Sequence, residues 1–113
     1  QGNADAQSKL GFMYLNEIGV LQDFAEAAKW LRWSAEQGNP SSQINLGVMY
    51  SYGDGVPQSN VLAHMWYDIA STNGHFEAIK LRDERAGLMN KADISKAQQM
   101  ARECMSSNYQ NCD

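Results

Sequence analysis

Apolar residues along this chain fall into helical stripes. From Ala4 to about Asn16, the residues Ala6, Leu10, Met13 and Tyr14 stand at the i, i+4, i+7, i+8 spacing of one helix face. Phe24, Ala27, Ala28, Leu31 and Ala35 form a second stripe, widened by Trp30 and Trp33. Asp23 followed by Glu26 predicts a capping box at the start of that second helix, and Gly38 a left-handed residue that ends it. Two further helices are predicted over Pro40 to Ser51 and about Asn60 to Thr72. The Gly- and Pro-punctuated stretch Tyr52-Gly53-Asp54-Gly55-Val56-Pro57 separates them.

The two helix pairs are copies of each other. A shift of 36 residues superposes Leu10-Gly11 on Leu46-Gly47, Met13-Tyr14 on Met49-Tyr50, Gly19-Val20 on Gly55-Val56, Ala27 on Ala63, Trp30 on Trp66 and Gly38 on Gly74, without a gap. Gln1-Gly2-Asn3 likewise superposes on Gln37-Gly38-Asn39, which predicts at least one more repeat upstream in the parent protein. Gly11 and Gly47 stand in mid-helix, where Gly is up to ~1 kcal/mol less favourable than Ala. A cost incurred twice at one register predicts close approach of the second helix, with the Trp30 or Trp66 ring nearby. A tandem array further predicts that Trp30 and Trp66 occupy equivalent environments.

After Gly74 the pattern changes. Ala78 keeps the small-residue position, but Arg82-Asp83 replace Leu-Gly. A helix is predicted from about His75 to Met89, then Asn90 as an N-cap with Asp93 three residues on, then a last helix to about Ser107. Residues 75 to 113 hold six of the nine basic residues, whereas residues 39 to 74 hold none. This segment reads as a terminal cap, whose outer face must be polar. The units are therefore 3–38, 39–74 and a divergent 75–113, in one domain.

Composition narrows the function. With 43% hydrophobic and 19% charged residues in 113, the chain is that of a small folded domain. No apolar run approaches the ~18 to 20 residues of a membrane span, so no membrane insertion is expected. A net charge of -4 repels polyphosphate and argues against nucleic-acid binding. Catalytic signatures are missing: no Gly-x-Ser-x-Gly, Ser-x-x-Lys, His-Glu-x-x-His, P-loop or dinucleotide fingerprint occurs. His64 reads as a helix-surface or inter-helix residue and His75 as a turn residue. Glu77, Asp83 and Glu84, interleaved with Arg82 and Arg85, read as a solvated helix face. No enzyme activity and no cofactor are expected.

Cys104 and Cys112 have seven residues between them. That spacing matches neither a zinc knuckle nor a site completed by a His pair, so no metal is expected. Free thiols and a disulfide both stay open, the latter because the chain can reverse at Ser107-Asn108.

The pattern Ala/Ser-x-x-x-Leu-Gly-x-Met-Tyr, then Gly-Val, then Ala-x-x-Trp, then Gly, at a period of 36, resembles the Sel-1-like repeat, a relative of the tetratricopeptide repeat. The resemblance covers residues 1 to 74. It implies an all-α fold, a right-handed α-α superhelix of stacked helix hairpins with a C-terminal capping hairpin. Cysteine-rich bacterial members carry the same cysteine spacing as a bridge, which implies a Cys104–Cys112 disulfide and an exported, periplasmic or secreted protein; free thiols would instead imply a cytoplasmic one.

The resemblance also implies a function. Such arrays act as interaction scaffolds whose first helices line a concave face suited to a peptide or partner protein. By the tetratricopeptide register, that groove is lined by Asp5, Ser8, Phe12, Leu15 and Asn16, by Ser41, Ile44, Val48, Ser51 and Tyr52, and is extended into the cap by Lys80 and Glu84. Phe12, Ile44, Val48 and Tyr52 are apolar without being required by the core periodicity; they are candidate contacts or padding of the hairpin interface. A basic or neutral partner fits the mildly acidic margin better than an acidic one. The alternative that the resemblance offers is a cysteine-rich exported protein that binds or slowly hydrolyses β-lactam or peptidoglycan-like ligands.

Overall fold

A computed structural model describes Gln7, Lys9 and residues 23–112. Among the described residues there are five helices and no strand: α1 (Phe24–Ala35), α2 (Pro40–Tyr52), α3 (Asn60–Thr72), α4 (Glu77–Ala86) and α5 (Lys91–Ser106). Of the helix predicted over Ala4 to Asn16, Gln7 and Lys9 are described, both in helical conformation; the rest, with Gly11, lies outside the described residues.

Local sequence sets each boundary. Asp23 Oδ1 accepts the Glu26 amide at 3.1 Å, as the capping box predicts. Glu26 does not answer with the reciprocal bond of that motif; its carboxylate accepts the Trp30 indole N–H at 3.1 Å and lies 3.7 Å from Lys29 Nζ. Asn39, Ser59 and Asn90 cap α2, α3 and α5 in the same manner, each accepting the amide three residues on. Pro40 occupies the first turn of α2, where its missing N–H leaves nothing unpaired.

Helix α3 is the centre of the molecule. It packs on α2, α4 and α5, and buries Ala63, Met65, Trp66, Tyr67, Ile69 and Ala70. A smaller cluster of Ala27, Ala28, Leu31 and Met49 joins α1 to α2, with Phe24 and Val56 against it. Gly55 fixes this join: its φ is +77°, and a Cβ there would stand 2.3 Å from the Phe24 carbonyl oxygen. Only glycine allows the α2–α3 loop to lie against the start of α1, so the repeated Gly-Val pair stitches one unit to the one before.

Gly47 is in close contact as predicted, but with a different ring. A Cβ at Gly47 would meet Tyr67 Cε1 at 2.6 Å and Cδ1 at 2.7 Å, so Tyr67, rather than Trp66, is the neighbour that requires glycine. The two repeat tryptophans also differ. Trp66 is fully buried, whereas Trp30 is half-buried and bonded to Glu26. Trp66 stands on α3, which α2, α4 and α5 enclose.

The last unit departs furthest. The α-helical bonding of α4 is confined to Glu77–Ala86, shorter than the span His75 to Met89 that periodicity predicts. Two i to i+3 bonds at each end, from Ala78 to His75 and Ile79 to Phe76, and from Leu88 to Arg85 and Met89 to Ala86, carry the turn outward. Helices α4 and α5 each pack on α3 and approach one another little. The intra-repeat contact that Gly47 permits between α2 and α3 has no counterpart here, because Asp83 stands in the Gly47 register. Beyond α5 the chain reverses at Asn108 and Tyr109, both at positive φ, and Cys112 is joined to Cys104 by a disulfide.

Candidate partner-binding surface

Of the residues that the repeat register assigns to a groove, Phe12, Leu15 and Asn16, with Asp5 and Ser8, lie outside the described residues. Ile44 and Val48 are half-buried and pack against the main core. Ser51 is buried; its hydroxyl donates to the Gly47 carbonyl at 3.0 Å and bonds the Tyr67 hydroxyl at 3.0 Å, so it belongs to the interior rather than to a groove. Tyr52 is 68% exposed, and the Arg85 guanidinium stands 5.6 Å from its ring centroid. Arg85 reaches the same corner with bonds to the Ser51 carbonyl and to Asn60 Oδ1, which fasten α4 to the α2–α3 hairpin.

Lys80 and Glu84 are exposed and come together with Phe76, Ile79 and Asp83 in a shallow groove of about 700 Å³ along α4. Phe76 is 78% exposed, Leu88 66% and Ile79 40%. The sequence reading missed these three. The signal that finds them is Ala78, the repeat's small residue and the one buried position of α4: with Ala78 inward, Phe76 and Ile79 must turn outward. Arg82, on the inner side, bonds Asp68 Oδ1 at 3.1 Å and Asp83 Oδ1 at 3.2 Å.

His64 is buried between helices rather than on a surface, and its Nδ1 lacks a hydrogen-bond partner. Burial pushes its pKa below the ordinary 6.5, with the Asp68 carboxylate partly opposing the shift. His75 lies in the turn before α4, where its carbonyl accepts the Ala78 amide. Among the described residues no group of three or more His, Cys, Asp or Glu side chains is placed to hold a metal ion. Nor is any described helix long and apolar enough to cross a membrane.

The arrangement is a set of repeated hairpins with apolar side chains left exposed around α4, and comparison with known proteins places it. The family model of the Sel1 repeat matches residues 4–39 and 40–75. The chain belongs to the Sel1 repeat family. It is similar to the crystal structure of c5321, described as a protective antigen present in uropathogenic Escherichia coli strains displaying an SLR fold. That likeness has 31% identity, a TM-score of 0.91 and coverage of 96% of this chain and 24% of the other. A Sel1 repeat protein from Oxalobacter formigenes is similar over 74% of this chain and 62% of its own length, with 36% identity and a TM-score of 0.71. This chain thus spans about a quarter of the first protein and less than two thirds of the second. No curated protein matches it. The Sel1 repeat chain is an all-α helical repeat of the superhelical kind, a family of protein-interaction modules.

Proposed function

We propose that this Sel1 repeat chain is a non-catalytic interaction module that holds a peptide or partner protein over the surface formed by the end of α2 and by α4. The observation that carries the reading is the groove of α4, where Phe76 and Ile79 stay open to solvent beside Lys80, Asp83 and Glu84. Large apolar side chains grouped on one exposed helix mark an interaction site more than chance surface composition does. Tyr52, whose exposed ring meets the Arg85 guanidinium, and the half-buried Ile44 and Val48 are further candidate contacts on α2. The acidic pair Asp83 and Glu84 and the net charge of -4 favour a basic or neutral segment. The units of the module are 3–38, 39–74 and a capping 75–113. The Cys104–Cys112 bridge fits an oxidising compartment, so we read the module as exported.

Selection of peptides from a displayed random library tests this. Enriched sequences should combine an apolar residue with Lys or Arg, and Phe76→Ser with Tyr52→Ala should weaken their binding at least about fivefold while helicity is kept. Enrichment of acidic peptides, or affinity untouched by both substitutions, would refute the assignment.

A further inference from the structure

The outer face of α4 carries a row whose chemistry reads the same from either end. Phe76, Lys80, Glu84 and Leu88 are spaced by four residues, so they form one i±4 ridge of the helix. The row runs past both ends of α4 because Phe76 is itself in right-handed helical conformation and Gly87 continues it. The Leu88 amide then bonds the Arg85 carbonyl at 2.9 Å, which keeps the helical turn going. All four side chains are exposed, and neither Lys80 nor Glu84 has an ion-pair partner among the described residues. About its midpoint, Arg82, the row is apolar, cationic, anionic, apolar.

We infer that this ridge is a two-fold interface for a second copy of the same chain, with α4 packed antiparallel against α4. In that arrangement Phe76 faces Leu88 of the second copy and Lys80 faces Glu84 of the second copy, and the two-fold repeats both pairs. Every residue of the row thereby meets a complement, which is the condition for an isologous interface. A foreign helix of uniform charge would oppose either Lys80 or Glu84, whereas the chain itself satisfies both. Ridges of the i±4 type interdigitate at a crossing angle of about -50°. The row from Phe76 to Leu88 is about 18 Å long at ~1.5 Å per residue, so the contact is small and the association belongs in the micromolar range or weaker. The inference goes beyond the proposed function: a copy on α4 competes with an outside partner for Lys80 and Glu84, so each can be found without the other.

Sedimentation velocity of the whole chain over a wide concentration range, without peptide, tests it. The unaltered chain should show a reversible monomer–dimer equilibrium that weakens as salt rises. Lys80→Glu and Glu84→Lys each set like charges against each other at two symmetric positions, and each should weaken association about tenfold. The double variant K80E/E84K restores opposite charges at both positions and should recover the dimer. Phe76→Ser should weaken it as well, with circular dichroism unchanged. A chain monomeric throughout overturns the inference, as does a dimer indifferent to the single reversals or a double variant that fails to recover. A monomer that still binds basic peptides through Phe76 overturns this interface alone and keeps the interaction module.

Discussion

The side-chain amide of Asn73 donates to Gln43 Oε1 at 3.1 Å, tying the C-cap of α3 to the start of α2 thirty residues earlier. Gln37 makes the same amide bond to Gln7, also thirty residues upstream, so the clamp recurs with the repeat. Gln43 also donates to the Ala35 carbonyl at 3.0 Å, at the end of α1, where the Gly38 amide bonds the same oxygen. One fully buried side chain therefore closes its own hairpin and joins it to the one before. Replacing it removes both bonds, but the Ala35 carbonyl keeps the Gly38 amide at 3.0 Å and the exposed Asn73 amide can turn to water. Gln43→Leu is expected to destabilise by about 1 to 2 kcal/mol, read by urea denaturation. Gln37→Ala, at an exposed residue, should stay under about 1 kcal/mol.

Gly47 offers a test of sign. In an open helix Gly→Ala gains up to ~1 kcal/mol. Here the new Cβ would stand 2.6 Å from Tyr67 Cε1, and Tyr67 is buried with its hydroxyl bonded to Ser51, so the ring cannot swing away cheaply. Gly47→Ala should destabilise by about 1 to 3 kcal/mol. In the background Tyr67→Ala, which removes the ring, the same change should become neutral or stabilising, and the double-mutant cycle measures that coupling.

The backbone plan was legible because it repeats. The ends of α3 agree with the span Asn60 to Thr72, and Asp23, Asn90 and Gly38 act where turn chemistry places them. What the stripes could not give was the identity of neighbours. Tyr67 and Trp66 are adjacent and both apolar, so periodicity cannot say which ring meets Gly47. Ser51 looked like a groove residue because a hydroxyl carries no hydrophobic signal, although the Tyr67 hydroxyl draws it inward. The face of α4 was hidden for the opposite reason. Phe76 and Ile79 carry the apolar signal of a core, and only the small residue Ala78, which carries almost none, marks the true inner side.

The disulfide holds the tail on the stack. It closes a loop with a sequence separation of 8, and within the reversed segment Tyr109 accepts the second Asn73 amide proton at 3.0 Å, one repeat period further on. In the chain-entropy description a loop this short contributes about 2.5 kcal/mol. Reduction, or the pair Cys104→Ser and Cys112→Ser, should lower Tm by roughly 10 °C for a domain of this size. Tyr109→Phe in the oxidised chain should cost about 1 kcal/mol, because Asn73 keeps its bond to Gln43.

Stability should fall on mild acidification, and His64 is the cause. Its imidazole is buried on α3, with Asp68 on the same helix and Arg82 and Asp83 presented by α4. Burial disfavours the charged ring more than the two carboxylates favour it, and Arg82 adds to the penalty, so the folded-state pKa lies below the unfolded value of about 6.5. A depressed histidine pKa means that the unfolded chain binds the proton first. The His64 contribution is thus full above pH 6.5 and is lost progressively as pH drops from there towards the folded-state pKa. Thermal melts at pH 7.5 and pH 5.5 should show the lower Tm at pH 5.5. His64→Gln removes the titrating group, so the difference between those two melts should shrink in that variant. An unchanged difference would place the acid sensitivity in other groups.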